Sequence, residues 1–185
     1  MFCLTVDREI ELCLLQERHA GQLFGLIDKN RAYLRQWLPW LDANRSVDDS
    51  RKFIKGALDQ FAKNQGFQPA IFFRGQLAGM TGFHRFDWNN RATSLGYWLD
   101  LDRQGQGIVT GAVRYLVGYA FTDLKLNRVE IRCAVENRKS CAIPKRLGFT
   151  REGVIRQAEW LYDHYVDHVI YGMLAGEWPP VDPKA

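Results

Sequence analysis

No long apolar run occurs in this chain of 185 residues, so the ~18 consecutive apolar residues of a membrane-spanning helix are missing. The N-terminal MFCLTVDREIELCLL carries acidic residues inside its apolar part and does not read as a signal peptide. A cytoplasmic location with no membrane partner is the expectation. Cysteine is scarce. Cys3, Cys13, Cys133 and Cys141 form no CxxC pair, which excludes zinc-type spacing and predicts scattered, reduced thiols rather than a disulfide framework. His164 and His168 are four apart, a metal-binding spacing on a helix, but WLYDHYVDHVIYGML reads as strand and offers no third ligand. No metal is expected. Runs of Lys and Arg are also absent. A net charge of +4 without a basic arm or aromatic-interleaved stripe argues against nucleic acid, though it suits a polyphosphate or an acidic partner. No repeat or low-complexity linker breaks the chain, so one domain over 1–175 with a frayed tail at 176–185 is predicted.

What is present is an ordinary globular composition, 46% hydrophobic and 25% charged, with a high aromatic share of 13% that fills a core or lines a cleft. Ile10, Leu12 and Leu14 alternate as in a strand. Leu23, Leu26 and Ile27 then recur at helical spacing in a helix that ends near Pro39. Ser46 followed by Asp49 is a capping-box pattern, and Phe53, Ala57, Leu58 and Phe61 would form the buried stripe of that second helix. PAIFFRGQLAGMTGFHRF reads as two strands turning at Gly75, and TSLGYWLDL as a third after a turn at Asn89 and Asn90. Val109, Val113, Leu116, Val117, Ala120 and Phe121 share a helix face. RVEIRCAV alternates, with Val129, Ile131, Cys133 and Val135 inward. A short helix runs from the cap residue Asn137 to the stop signal Gly148, and strands near 150–159 and 165–174 follow. The order is strand, two helices, three strands, helix, strand, helix, two strands. It predicts an α/β (α+β-type) domain with one mostly antiparallel mixed sheet and about four helices.

The segment RQGQGIVTGAV puts Gly105 and Gly107 where a strand becomes a helix. A helix start has unpaired N–H groups and the positive end of the dipole, and glycine lets an anion approach them. The loop is not a P-loop, because no Lys follows Gly107. It is not a dinucleotide fingerprint, because Thr110 stands where a third glycine belongs and the loop lies far from the first strand. Alone, the pattern also fits a tight turn that binds nothing.

The combination says more. LGYWLDLD runs into RQGQGIVTGAV, and LNRVEIRCAVENRKSCAIPKRLGFTREGVIRQAEW follows about twenty residues later. With the early NRAYLRQWLPW and the late QAEWLYDHYVDH, nearly the whole chain resembles the GNAT superfamily of acetyl-CoA-dependent N-acetyltransferases. Within it, the chain is similar to the RimJ/RimL-type branch that acetylates ribosomal-protein N-termini. The resemblance implies a GNAT fold with two central strands splayed apart. Gln104, Gly105, Gln106, Gly107, Ile108, Val109 and Thr110 would hold the pyrophosphate of coenzyme A. Val109 departs from the small residue usual there and would bring a branched side chain near the loop. The backbone from Leu99 to Leu101 would bond the pantetheine arm as a strand does, and Asn137 would contact that arm.

The reaction sets the remaining expectations. An amine attacks only when neutral, and an α-amino group with a pKa of about 7.7–8.0 needs less help than a lysine at about 10.4. Glu159 matches the branch's base carboxylate, and by spacing alone it is equally a solvated strand charge. Ser140 matches its donor to the leaving thiolate, and otherwise it is a surface residue of a first helical turn. Cys141 needs no catalytic role in direct transfer. Pro144 removes a helical N–H and frees the carbonyl of Ser140, or simply shortens the helix. Trp37, Trp40, His84 and Arg85 are the acceptor-side candidates, each of which also reads as core or rim. The acceptor is expected to be a protein N-terminus. Small amines such as a polyamine or aminoglycoside, or a non-catalytic acetyl-CoA sensor, are the alternatives. A homodimer or higher oligomer suits the branch.

Overall fold

The computed structural model describes residues 2–179. One eight-stranded sheet has the order β1-β2-β3-β4-β5-β6-β8-β7. Its strands are β1 (Cys3–Thr5), β2 (Ile10–Cys13), β3 (Ala70–Phe73), β4 (Gln76–Asp87), β5 (Ala92–Leu99), β6 (Arg128–Ala134), β7 (Thr150–Leu161) and β8 (His164–Leu174). Every neighbouring pair is antiparallel except β5 with β6. Five helices accompany the sheet: α1 (Ala20–Lys29), α2 (Arg31–Leu34), α3 (Val47–Ala62), α4 (Ile108–Thr122) and α5 (Arg138–Arg146). The mixed α/β sheet is as expected. The strand β1 is an addition, and the first predicted helix is broken at Asn30 into α1 and the single turn α2.

Two apolar clusters build the core. The larger joins α4 and α5 to the sheet through residues such as Phe83, Leu95, Leu116 and Ile131, and the smaller seats α1 and α3 through Leu23, Ile27 and Ile54. On α4 the buried face is the expected one, lengthened by Ile108 and Ala112. On α3 it is not. Ser50, Ile54 and Ala57 face inward, whereas Phe53 and Phe61 are 39% and 38% exposed. Phe61 packs sideways on the rings of Phe2 and Phe67. The N-cap is Ser46 as predicted, but the box is not closed: Ser46 Oγ accepts from the Asp49 N–H at 3.3 Å, while the Asp49 carboxylate accepts at 3.1 Å from the N–H of Arg45 rather than of Ser46.

The expectation of four free thiols is corrected. β1 pairs with β2 so that Cys3 stands directly opposite Cys13, and a disulfide joins them. A pairing of two short strands places the two sulfurs together, and no CxxC spacing is needed for that. Cys133 and Cys141 are free and buried. Trp178 packs on Phe121 of α4 with ring centroids 6.2 Å apart. Residues 180–185 lie outside the described residues.

At the far end of the sheet an ion pair crosses a whole strand. Arg128 of β6 bonds Glu152 of β7 over the intervening β8. The crossing point is Gly172, where any Cβ would collide with the Glu152 carboxylate and the Arg128 guanidinium.

Candidate active site

The strands β5 and β6 pair only from Ala92 with Arg128 to Ser94 with Glu130. Beyond that they diverge, leaving the rest of β5 and β6 as two walls of a split. The splayed strands of the GNAT expectation are therefore present. Helix α4 begins on one side of the split and α5 on the other.

The α4 start is open. Gly105 and Gly107 have φ of +78° and +77°, a left-handed backbone that side chains disfavour, and a Cβ on either would meet nothing within 4 Å. Gly107 is the N-cap, and no side chain caps the helix. The N–H groups of the first turn thus face a space shaped for an anion. Val109 does not obstruct it, because its side chain is buried in the larger core cluster. The loop is held from behind. Asp100, only 4% exposed, accepts from Lys29 Nζ and from Asn30 Nδ2, and Asn30 Oδ1 accepts from the Leu101 N–H at 2.9 Å. These bonds outweigh burial and hold the Asp100 carboxyl below its ordinary range.

Positive charge gathers near this loop from α5. Lys139 of α5 donates to Gln104 Oε1 at 2.8 Å, and Gln104 donates on to the Tyr33 hydroxyl at 2.6 Å. Arg146 donates to Thr110 Oγ1 at 3.0 Å, linking α5 to α4.

The α5 start is capped. Asn137 Oδ1 accepts from the Ser140 N–H at 3.1 Å, as a cap residue should. Ser140 sits where the split opens. Its hydroxyl is 3.2 Å from Cys133 Sγ on β6 and 3.4 Å from the Tyr97 hydroxyl on β5. The contact with Cys141 and burial push the Cys133 thiol well above its ordinary range, so it stays neutral beside Ser140.

Glu159 is turned inward by an irregularity of β7. The pairing with β8 shifts between Ile155 and Glu159, and Gln157 takes a φ of +50° while its N–H donates to the Asp167 carboxylate at 2.7 Å. Glu159 Oε2 then stands 3.4 Å from His168 Nε2 of β8. This is where His168 is used, and among the described residues no group of three His, Cys, Asp or Glu is arranged to hold a metal.

A continuous cavity of about 2460 Å³ connects these parts. Ser140, Glu159, Asn137 and Leu99 line it, as do Gln104, Gly105, Gly107, Ile108, Val109 and Thr110. Trp37, Trp40 and His84 line it too, together with Tyr97, Trp98 and Arg132. Desolvation of the ring within the cavity and the nearby Arg132 lower the His84 pKa from its ordinary 6.5. Three expected residues stand outside the lining: Leu101 and Gln106 are exposed in the loop, and Arg85 is exposed on β4. The mouth is clipped. The Tyr162 hydroxyl at the β7–β8 turn donates to the Leu38 carbonyl at 2.5 Å, and the Arg35 guanidinium lies 3.8 Å from the Tyr162 ring.

A split parallel strand pair, with an open glycine-bearing helix start beside it, is the architecture of the GNAT acetyltransferases. The chain belongs to that family: the model described as an acetyltransferase (GNAT) domain matches residues 9–150. It is similar to the ribosomal-protein-serine acetyltransferase of Escherichia coli (strain K12), 34% identical over 171 residues, which are 92% of this chain and 96% of the relative. Among solved structures it is similar to RimL, a ribosomal L7/L12 alpha-N-protein acetyltransferase in complex with coenzyme A. That match has 32% identity and a TM-score of 0.90, covering 94% of this chain and 98% of that one. It is similar also to the microcin C7 self-immunity acetyltransferase MccE in complex with acetyl-CoA and AMP. There the identity is 32% and the TM-score 0.88, over 91% of this chain and 94% of that one. The protein is thus an acetyl-CoA-dependent N-acetyltransferase. Its residues fit the cosubstrate, because the open α4 start, the basic side chains near it and the unpaired walls of the split are what a pyrophosphate and a peptide-like arm require.

Proposed function

We propose that the protein acetylates the α-amino group of a protein N-terminus, ribosomal proteins being the first class to test, by direct transfer within the split. The observation that carries the reading is that Ser140 and Glu159 line one cavity with the open α4 start. Gln104 to Thr110 hold the pyrophosphate on the backbone of the glycine loop, and Leu99 and Asn137 face the arm that leads to the thioester. Glu159 takes the proton from the attacking amine, directly or through a water, and its 30% exposed side chain is open to either route. Ser140 donates a hydrogen bond to the thiolate as it leaves. Trp37, Trp40 and His84 bound the acceptor. Support for a protein acceptor comes from the relatives, whose names specify a ribosomal-protein serine and the L7/L12 α-amino group.

A small-molecule acceptor is the second reading. It is favoured by the likeness to MccE, which is known in complex with AMP, and by a cavity walled by Trp37, Trp40 and Trp98. Mass spectrometry separates the two. Enzyme and acetyl-CoA are mixed with peptides bearing free Ser, Ala or Met N-termini, with spermidine, with an aminoglycoside and with an amine-bearing derivative of AMP. Acetylation of the Ser or Ala peptides alone is expected, and acetylation of only the small amines replaces the proposal with the second reading. In the first case Glu159→Gln and Ser140→Ala each lose most of the turnover.

A further inference from the structure

Pro144 lies inside α5 and has no N–H, so the carbonyl of Ser140, four residues earlier, lacks its helical partner. That carbonyl is not left bare. The hydroxyl of Tyr97, on the opposite wall of the split, donates to it at 2.9 Å. The same hydroxyl is 3.4 Å from Ser140 Oγ and 3.9 Å from Cys133 Sγ. Burial of its phenol pushes the Tyr97 pKa well up, so the proton needed for this bond is present at neutral pH. Pairing between β5 and β6 has ended at Ser94, three residues before Tyr97. Tyr97 is therefore a side-chain strut spanning the split where backbone pairing has ceased.

We infer that Tyr97 is a positioning residue for acetyl transfer: it takes up the Ser140 carbonyl that Pro144 orphans, and so fixes the first turn of α5 and the Ser140 hydroxyl across the open split. The inference rests on Ser140 acting as donor to the thiolate. A helix with an ordinary residue at 144 would tie this carbonyl to its own backbone and would not need β5. Here the aim of Ser140 is set from the other wall.

The test uses this substitution logic. Tyr97→Phe keeps the ring and removes the strut's donor. It should lower kcat about tenfold, the effect of one misaligned hydrogen bond worth ~1.4 kcal/mol, with the KM for acetyl-CoA within about twofold. Pro144→Ala restores an N–H four residues beyond Ser140 and by itself should leave kcat within about twofold. The double variant Tyr97→Phe/Pro144→Ala should recover most of the lost kcat, because the backbone then supplies the missing donor. In a Ser140→Ala background, Tyr97→Phe should add little further loss, since the two act as one unit. Hydrogen exchange of the Ser140 and Cys141 amides reads the same strut without catalysis: it should speed up in Tyr97→Phe and slow again in the double variant. A folded Tyr97→Phe enzyme with unchanged kcat and exchange, or a double variant that is not rescued, overturns the inference. Full activity of Ser140→Ala instead removes the donor reading on which it rests, and the two failures are thereby told apart.

Discussion

The two helices that flank the split begin in opposite ways. At α5 the first turn is satisfied internally, with the Asn137 side chain on the Ser140 N–H. At α4 the N-cap is Gly107 in a left-handed conformation and no side chain caps the turn. Both starts face one cavity, yet only α4 keeps its positive end free for a ligand. A cap stabilises a helix by about 1 kcal/mol. Leaving α4 without one is a cost that only binding recovers, whereas α5 keeps its cap.

The comparison can be broken by giving α4 what α5 has. Gly107→Asp tolerates the left-handed backbone better than most residues and puts a carboxylate over the first turn. Repulsion at contact range is about 4 kcal/mol at an effective dielectric constant of ~20, so acetyl-CoA affinity should fall by about two orders of magnitude or more by calorimetry. Gly107→Ala is milder. Nothing lies within 4 Å of its Cβ, so the cost is conformational, about 1–2 kcal/mol, and should appear as lower stability in a thermal scan with the KM for acetyl-CoA little changed. At the other helix, Asn137→Ala should lower stability by about 1 kcal/mol, a fall in Tm of roughly 2–4 °C in a thermal scan. An equal effect of Asn137→Ala and Gly107→Asp on acetyl-CoA affinity would erase the distinction between the two starts.

The smallest effect concerns His84, in the cavity away from both helix starts. Its pKa is lowered in the folded state, so the unfolded chain takes up the proton first as pH falls. The stability it contributes is complete above the ordinary value of 6.5 and is lost as pH drops below it towards the folded value. Urea midpoints should therefore decline less steeply just below that pH in His84→Gln than in the parent chain.

Much of this was legible in the residues. Alternation and helical spacing mark β6 and α4, Ser46 and Asn137 cap where they should, and the two glycines sit at an open helix start. The misreadings have physical causes. The α3 stripe followed the largest apolar side chains, but the sheet it covers accepts Ser50, Ile54 and Ala57, and the two Phe rings lean outward. The strand β1 spans only Cys3–Thr5, too short for a pattern, and with it the facing of Cys3 and Cys13 was hidden. Tyr97 reads as one more aromatic on a strand, because its partner is a carbonyl freed by a proline 47 positions away in the chain. Arg146 looks like surface charge until α5 is laid beside α4.

Gly172 has a consequence for the carboxylate on β7. Because it carries no side chain, the Arg128–Glu152 pair passes over β8 and laces three strands into one plate. The β7–β8 hairpin that bears Glu159 is therefore mounted like a bracket bolted at its base, with Tyr162 fastening its tip to Leu38. A single methyl at position 172 would push the ends of Arg128 and Glu152 apart and loosen the hairpin at its base, far from the tip that Tyr162 holds.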